Sequence, residues 1–397
     1  MYFAKKIAPV ARVLNRKSPN ITNKEDWISS FQHLLKRGNA LKSVPLILHG
    51  EVLHVKELTS LLFIFLTVLV TSLDCTYRAW TIYSRPANEV TLRDLIIELA
   101  NFVGRAGTNL VAWELLLRRE QWSMFFNSVV KLDGNLKRNL GGSRFSPDYK
   151  ALTRFLYIAA ILSASFPIFG TLPQQIRDRH QRRFWGSRLL PRSIYDNPVI
   201  AVLFLWYELR LNFVGSFAVG LAGSMIYSYM QINKIWLSIV ENGKLSSYPL
   251  PIRERLELFS SLKILNVLQN ETAALFLWPI IEYVLLAGQV CCHVMVFRFL
   301  SSVQPSLFLM MEAVIGILMI FQGRCIKSGA EMNAISTQFK NTVTQYGTRF
   351  EKKVAKSLHP LRVNVGSFYC YQKSSLTTCF QTHLDTTINV LLGYFTA

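Results

Sequence analysis

The chain has 397 residues, of which 51% are hydrophobic and 17% charged, and its net charge is +20. Soluble domains carry about a quarter charged residues, and a soluble chain of this length splits into two or three domains joined by polar linkers. The excess of cations does not indicate nucleic acid either, because it lies between apolar blocks rather than in one basic domain and accompanies no nucleic-acid motif.

Residues 1–57 are polar and basic and contain no apolar core of a cleavable signal peptide, so they read as a cytosolic N-terminal region. The first apolar block then acts as its own insertion signal. It runs from Leu58 to Tyr77 and is long enough to cross a hydrocarbon core of about 30 Å. The next block, 92–117, is weaker, with Arg93, Asp94, Glu98, Arg105 and Glu114 among its apolar residues. Taken alone, it also fits an amphipathic surface helix.

Further spans are predicted over 155–172, 199–230, 273–297 and 305–321. The fourth holds Glu208 and Arg210, and the fifth holds Pro279, read as a kink. The last, 376–395, is half polar. Such a helix cannot face lipid all round, so it lines water or packs inside protein. Stretches in 231–272 and 322–375 keep helical apolar spacing and read as cytosolic extensions of the spans.

Loop charge orients this layout. With seven spans and a cytosolic N-terminus, the inner segments hold 32 Lys and Arg and the outer segments hold 9. That asymmetry obeys the positive-inside rule and opposes the outside N-terminus of a G-protein-coupled receptor. The one discordant loop, 173–198, carries six arginines. Two glycosylation sequons, at Asn20 and Asn270, fall on the inner side and are expected to be silent. The expectation is therefore an all-α polytopic membrane protein. It has seven transmembrane helices in one domain over 58–397, a cytosolic N-terminus and an extracellular C-terminus.

Catalytic signals are missing. The seven histidines are scattered, no HExxH, GxSxG or carboxylate cluster occurs, and the six cysteines lack metal-ligand spacing. Buried free thiols are the expected state of the cysteines. No enzyme, cofactor or metal is implied. A secondary transporter is the alternative, but no internal repeat or matched pair of broken helices supports it. A non-conducting membrane protein of the same architecture is a further alternative.

The segment SLHPLRVNVGSFYCYQKSSLTTCFQTHLDTTINVLLGYFTA resembles the end of the insect chemosensory receptor superfamily, the gustatory and odorant receptors, and more closely its gustatory members. That family ends in Thr-Tyr, five mostly apolar residues and Gln-Phe. Here Thr387 and Phe395 stand at the matching separation, while Ile388 replaces the Tyr and Tyr394 the Gln. Pro360-Leu361-Arg362-Val363 and Gly366-Ser367-Phe368 are also similar to the family's cytosolic segment.

The resemblance implies a homo- or heterotetrameric, ligand-gated, non-selective cation channel in the plasma membrane. Its ligand would be a small organic tastant or odorant, its surroundings the lipid bilayer, and nucleic acid would play no part. It also implies a pore lined by the last helix, with Thr387, Leu391, Tyr394 and Phe395 as pore and gate residues. Ligand contacts are implied in the outer halves of the earlier spans, where Phe169, Trp206 and Tyr207 lie. At about 100° per residue, the polar stripe Thr378, Gln381, Asp385 and Asn389 lies well over 90° from Thr387, Leu391 and Phe395. Periodicity by itself turns the polar stripe to water, whereas the resemblance turns the apolar face there.

Overall fold

A computed structural model of the chain describes residues 27–84, 91–138, 148–177, 180, 187, 189–245, 248–299 and 305–393. Among these residues the regular structure is helical apart from three two-stranded hairpins, the second of which pairs Lys244–Leu245 (β3) with Tyr248–Pro249 (β4). Four helices are long and apolar enough to cross a membrane: Leu58–Tyr83 (α2), Lys150–Phe169 within Lys150–Arg177 (α5), Pro198–Asn242 (α7, preceded by the short α6, Arg192–Tyr195) and Leu277–Arg298 within Leu277–Phe299 (α9). Three other predicted spans also fall on helices: Leu92–Leu117 (α3), Pro305–Tyr346 (α10) and Ser375–Gly393 (α12).

The polar N-terminal region carries more structure than its composition suggested. Helix α1, Trp27–Ala40, places Trp27, Phe31, Leu34 and Leu35 on one stripe, and all four are almost wholly buried. Burial of such side chains stabilises by about 1.5–3 kcal/mol each. It packs mainly against α5 (Lys150–Arg177). A hairpin follows, with β1 (Leu46–His49) antiparallel to β2 (Val52–Val55). Asn127 and Ser123 of helix α4, Arg119–Leu136, satisfy the backbone of Leu53. That helix lies in a stretch the charge pattern had assigned to a loop.

Helix α7 has 45 residues and α10 has 42, about 68 and 63 Å at 1.5 Å per residue. Both are longer than a helix needs to cross a bilayer core of about 30 Å. Their extensions pack with α4, with α8 (Ile252–Gln269) and with α11 (Arg349–Ser357) around Tyr229, Trp236, Phe259 and Phe339. Asp133 organises this half. It accepts from the Trp236 indole at 2.9 Å, the Trp27 indole at 3.4 Å and the Tyr149 hydroxyl, and it pairs with Lys137 at 2.8 Å. One carboxylate thereby ties α1, α4, α5 and α7 together.

Pro279 is not a kink within a continuous helix. A π-helical turn, Asn270–Ala274, ends the preceding helix, and α9, Leu277–Phe299, starts afresh with Pro279 in its first turn. There its missing N–H costs no hydrogen bond. The π turn and α8 hold the incoming backbone of residues 362–366. Asn266 and Asn270 each bond the Arg362 carbonyl, at 2.8 and 2.9 Å, and the Gly366 N–H reaches the Ala274 carbonyl at 2.7 Å. The amide of Asn270 is thus engaged in the fold.

Helix α3 packs chiefly on α9, and also on α2 and α7. A Cβ at Gly107 would lie 2.4 Å from a Val284 methyl, so the close approach of α3 and α9 requires glycine there.

Candidate functional site

The half-polar helix α12 satisfies four of its threonines internally. The hydroxyls of Thr378, Thr382, Thr386 and Thr387 each donate to the carbonyl four residues earlier, at 2.7–3.1 Å. This keeps polar side chains satisfied without help from a neighbour. The helix leans on α9 and, less extensively, on α10. His383 and Thr387 are buried against the bundle, at 5% and 3% exposure. Leu391 and Val390 are half-buried against Ile96 of α3 and Val290, Val294 and Met295 of α9.

The opposite face is open: Gln381, Asp385, Ile388, Asn389 and Leu392 are exposed. Within one copy of the chain, then, the Thr387 face points inward and the polar stripe points outward. Leu391 lies on the flank between them. Tyr394 and Phe395 lie outside the described residues.

The charges within the predicted spans gather into a second constellation. Arg105 of α3 donates to Asp74 of α2 at 2.5 Å and to Glu208 of α7 at 2.6 Å. Arg78 meets the same Asp74 at 2.7 Å, and Asn212 lies 3.4 Å from Arg105. Two cations and two anions balance. All four side chains are nearly excluded from solvent, so each charge offsets the desolvation of another.

Of the charges in the weak second block, Arg105 serves α2 and α7, and Glu114 pairs with Arg118 at 2.8 Å. Asp74 and Arg78 had not been singled out, although opposite charges four residues apart in an apolar block are the sign of such a pair. Arg210 turns the other way. Its guanidinium holds the carbonyls of Leu41 and Lys42 just past α1 and stacks 4.6 Å over the Phe63 ring.

A third cluster centres on Glu282 of α9. It accepts from Gln322 of α10 and from the Tyr371 hydroxyl, each at 2.5 Å. Tyr371 directly follows the hairpin of Asn364–Val365 (β5) with Tyr369–Cys370 (β6), just before α12. It is fully buried, and burial together with the adjacent carboxylate pushes its phenol well up. The cluster fixes the entry to α12 relative to α9 and α10. Glu312 side-chain placement lies outside the described residues.

The predicted ligand residues do not converge. Phe169 and Trp206 project from the bundle, 69% and 61% exposed, and only Tyr207 is half-buried, next to Glu208. A more enclosed aromatic group lies nearby, where the buried Tyr195 ring meets Phe204 and His180 edge-on, each at 5.8 Å. The six cysteines form no disulfide among the described residues.

No protein-family model matches the chain, and neither does any curated protein sequence. Solved structures do. The insect olfactory receptor OR5 from Machilis hrabei superposes with a TM-score of 0.63, covering 92% of this chain and 97% of its own. The same receptor in complex with eugenol also gives 0.63, covering 93% of this chain and 100% of its own. The fold is that of an insect olfactory receptor. Sequence identity over these superpositions is only 10% and 12%. The olfactory-receptor fold is therefore carried by helix packing and hydrophobic placement rather than by shared side chains.

Proposed function

We propose that this chain is a chemosensory receptor of the insect odorant and gustatory class, acting as a ligand-gated, non-selective cation channel in the plasma membrane. The observation that carries the proposal is the superposition of nearly the whole chain on an olfactory receptor. In this reading α2, α3, α5, α7, α9, α10 and α12 each cross the bilayer, and the N-terminus is cytosolic. The 32-to-9 distribution of cations supports that orientation.

Four copies, identical or mixed, surround one conduction path walled by α12. Its open face supplies Gln381 and Asp385, which attract and hydrate cations. Farther along the helix, Ile388, Leu391 and Leu392, with Tyr394 and Phe395 beyond, form a narrow apolar ring that blocks ions by dewetting when closed. Thr387 contributes by seating α12 on its own bundle rather than by lining the path.

The ligand is a small organic odorant or tastant, by likeness to OR5 in complex with eugenol. Tyr207 beside the charge network is its proposed contact, while Phe169 and Trp206 form the outer rim in the manner of an interfacial aromatic belt. Whole-cell recording from cells expressing the chain, under a panel of odorants and tastants that begins with eugenol, tests the proposal. Ligand-evoked current carried by Na⁺ and K⁺ alike supports it. Ligand uptake without current would replace the channel with a transporter.

A further inference from the structure

Helix α11 carries Arg349, Lys352, Lys353 and Lys356 at spacings of three, four and seven residues, which puts all four cations on one face. Together they line an open hollow of about 360 Å³. None of the four side chains makes a hydrogen bond or ion pair among the described residues. The two acidic residues of the surrounding segment 322–375 are already used: Glu351 closes a capping box with Thr348, and Glu331 pairs with Lys234.

Local helix energetics oppose this arrangement. Like charges three and four residues apart repel, and Arg349 in the first turn faces the positive end of the helix dipole. An anion seated in the hollow relieves both.

The surroundings narrow down that anion. The exposed apolar side chain of the helix, Phe350, lies about 110° away from the basic face. An amphipathic acidic peptide would therefore find no apolar anchor beside the charges. A membrane surface is too far away, on the orientation proposed above. Helix α10 is 42 residues long, so its end beside α11 lies about 30 Å past a bilayer core, several screening lengths of about 8 Å.

We propose that the basic face of α11 is a binding site for a soluble, compact polyphosphate anion on the cytosolic side. Four cations within about 10 Å along the helix suit two or three adjacent phosphate groups.

Purified full-length protein in phosphatidylcholine nanodiscs, titrated with inorganic tripolyphosphate by calorimetry, tests this. The wild type binds, and the triple variant K352Q/K353Q/K356Q binds at least tenfold more weakly while eluting at the same volume in gel filtration. Removing three exposed cations elsewhere, as K36Q/K131Q/K150Q, leaves affinity unchanged. Equal affinity of the wild type and the α11 variant would overturn the proposal. Polyglutamate binding as tightly as tripolyphosphate would also overturn it, in favour of an acidic protein segment. So would binding seen only when the nanodisc contains phosphatidylinositol bisphosphate, in favour of a lipid surface. The titration reads no current, so its failure and the failure of the channel reading are separate results.

Discussion

Arg105 and Glu208 sit on different helices, and the guanidinium of the first lies 2.6 Å from the carboxylate of the second. Through the same guanidinium Arg105 also holds Asp74, so one side chain joins α2, α3 and α7. Arg105→Leu removes the guanidinium that the two buried carboxylates share. Removing one member of such a group costs about 3–5 kcal/mol. The expected outcome is a marked drop in melting midpoint, followed by fluorescence-detected gel filtration. Arg105→Lys rescues little, since an ammonium cannot fork to two carboxylates as a guanidinium does. A melting curve unchanged in Arg105→Leu would show that the network contributes nothing net.

Asp133 plays the corresponding role in the other half of the molecule. Asp133→Ala strips acceptors from two buried indoles and a phenol, each of which costs about 1–3 kcal/mol when left unsatisfied. Asp133→Asn keeps an acceptor oxygen and recovers part of the loss. Expression level and melting midpoint of the two variants should rank wild type, then Asn, then Ala.

Lys56 follows β2 and is half-buried. Burial, with Arg210 and Lys42 nearby, lowers its pKa to about 8. The folded state releases this proton at lower pH than the unfolded chain does. Stability is therefore expected to rise with pH between about 8 and the ordinary lysine value near 10.5. Lys56→Met removes the buried charge, stabilises the protein at pH 7 and flattens that slope. Melting curves across pH 7–10 check both effects, and a slope that persists in Lys56→Met would assign it to another group.

Two neighbouring leucines separate the readings of the gate. Leu392 is 56% exposed on the open face of α12, whereas Leu391 is half-buried on its flank. Leu392→Ala is expected to raise ligand-independent leak several-fold by lowering the dewetting barrier. Leu391→Ala leaks less and also loosens the packing of α12 on α9. The reverse order, measured as basal current normalised to surface expression, would return Leu391 to the centre of the ring.

Much of this fold was legible from apolar block length. Helix α3 begins and ends where its apolar pattern does, and Arg105 within it is met by α2 and α7 rather than by water. The half-polar 376–395 was expected as a span and α12 is a helix there, while the threonine hydroxyls that bond four residues back show what makes it tolerable. Helix α1 was missed because Trp27, Phe31, Leu34 and Leu35 are outnumbered by polar neighbours, although their spacing marks one buried face. The inward turn of Thr387 was hidden too. Which face of α12 a bundle claims depends on α9 and α3, and periodicity within one helix cannot choose between them.

The claim that α12 walls a water-filled conduction path is tested most directly by cysteine modification during current recording. Asp385→Cys on the open face and His383→Cys on the buried face are each exposed to a positively charged, membrane-impermeant thiol reagent in the presence of an activating odorant. Loss of the evoked current in Asp385→Cys, with His383→Cys behaving like the wild type, is the predicted result. Block through His383→Cys with Asp385→Cys unaffected would contradict the orientation of the helix. Evoked current that neither substitution makes sensitive to the reagent would remove α12 from the path.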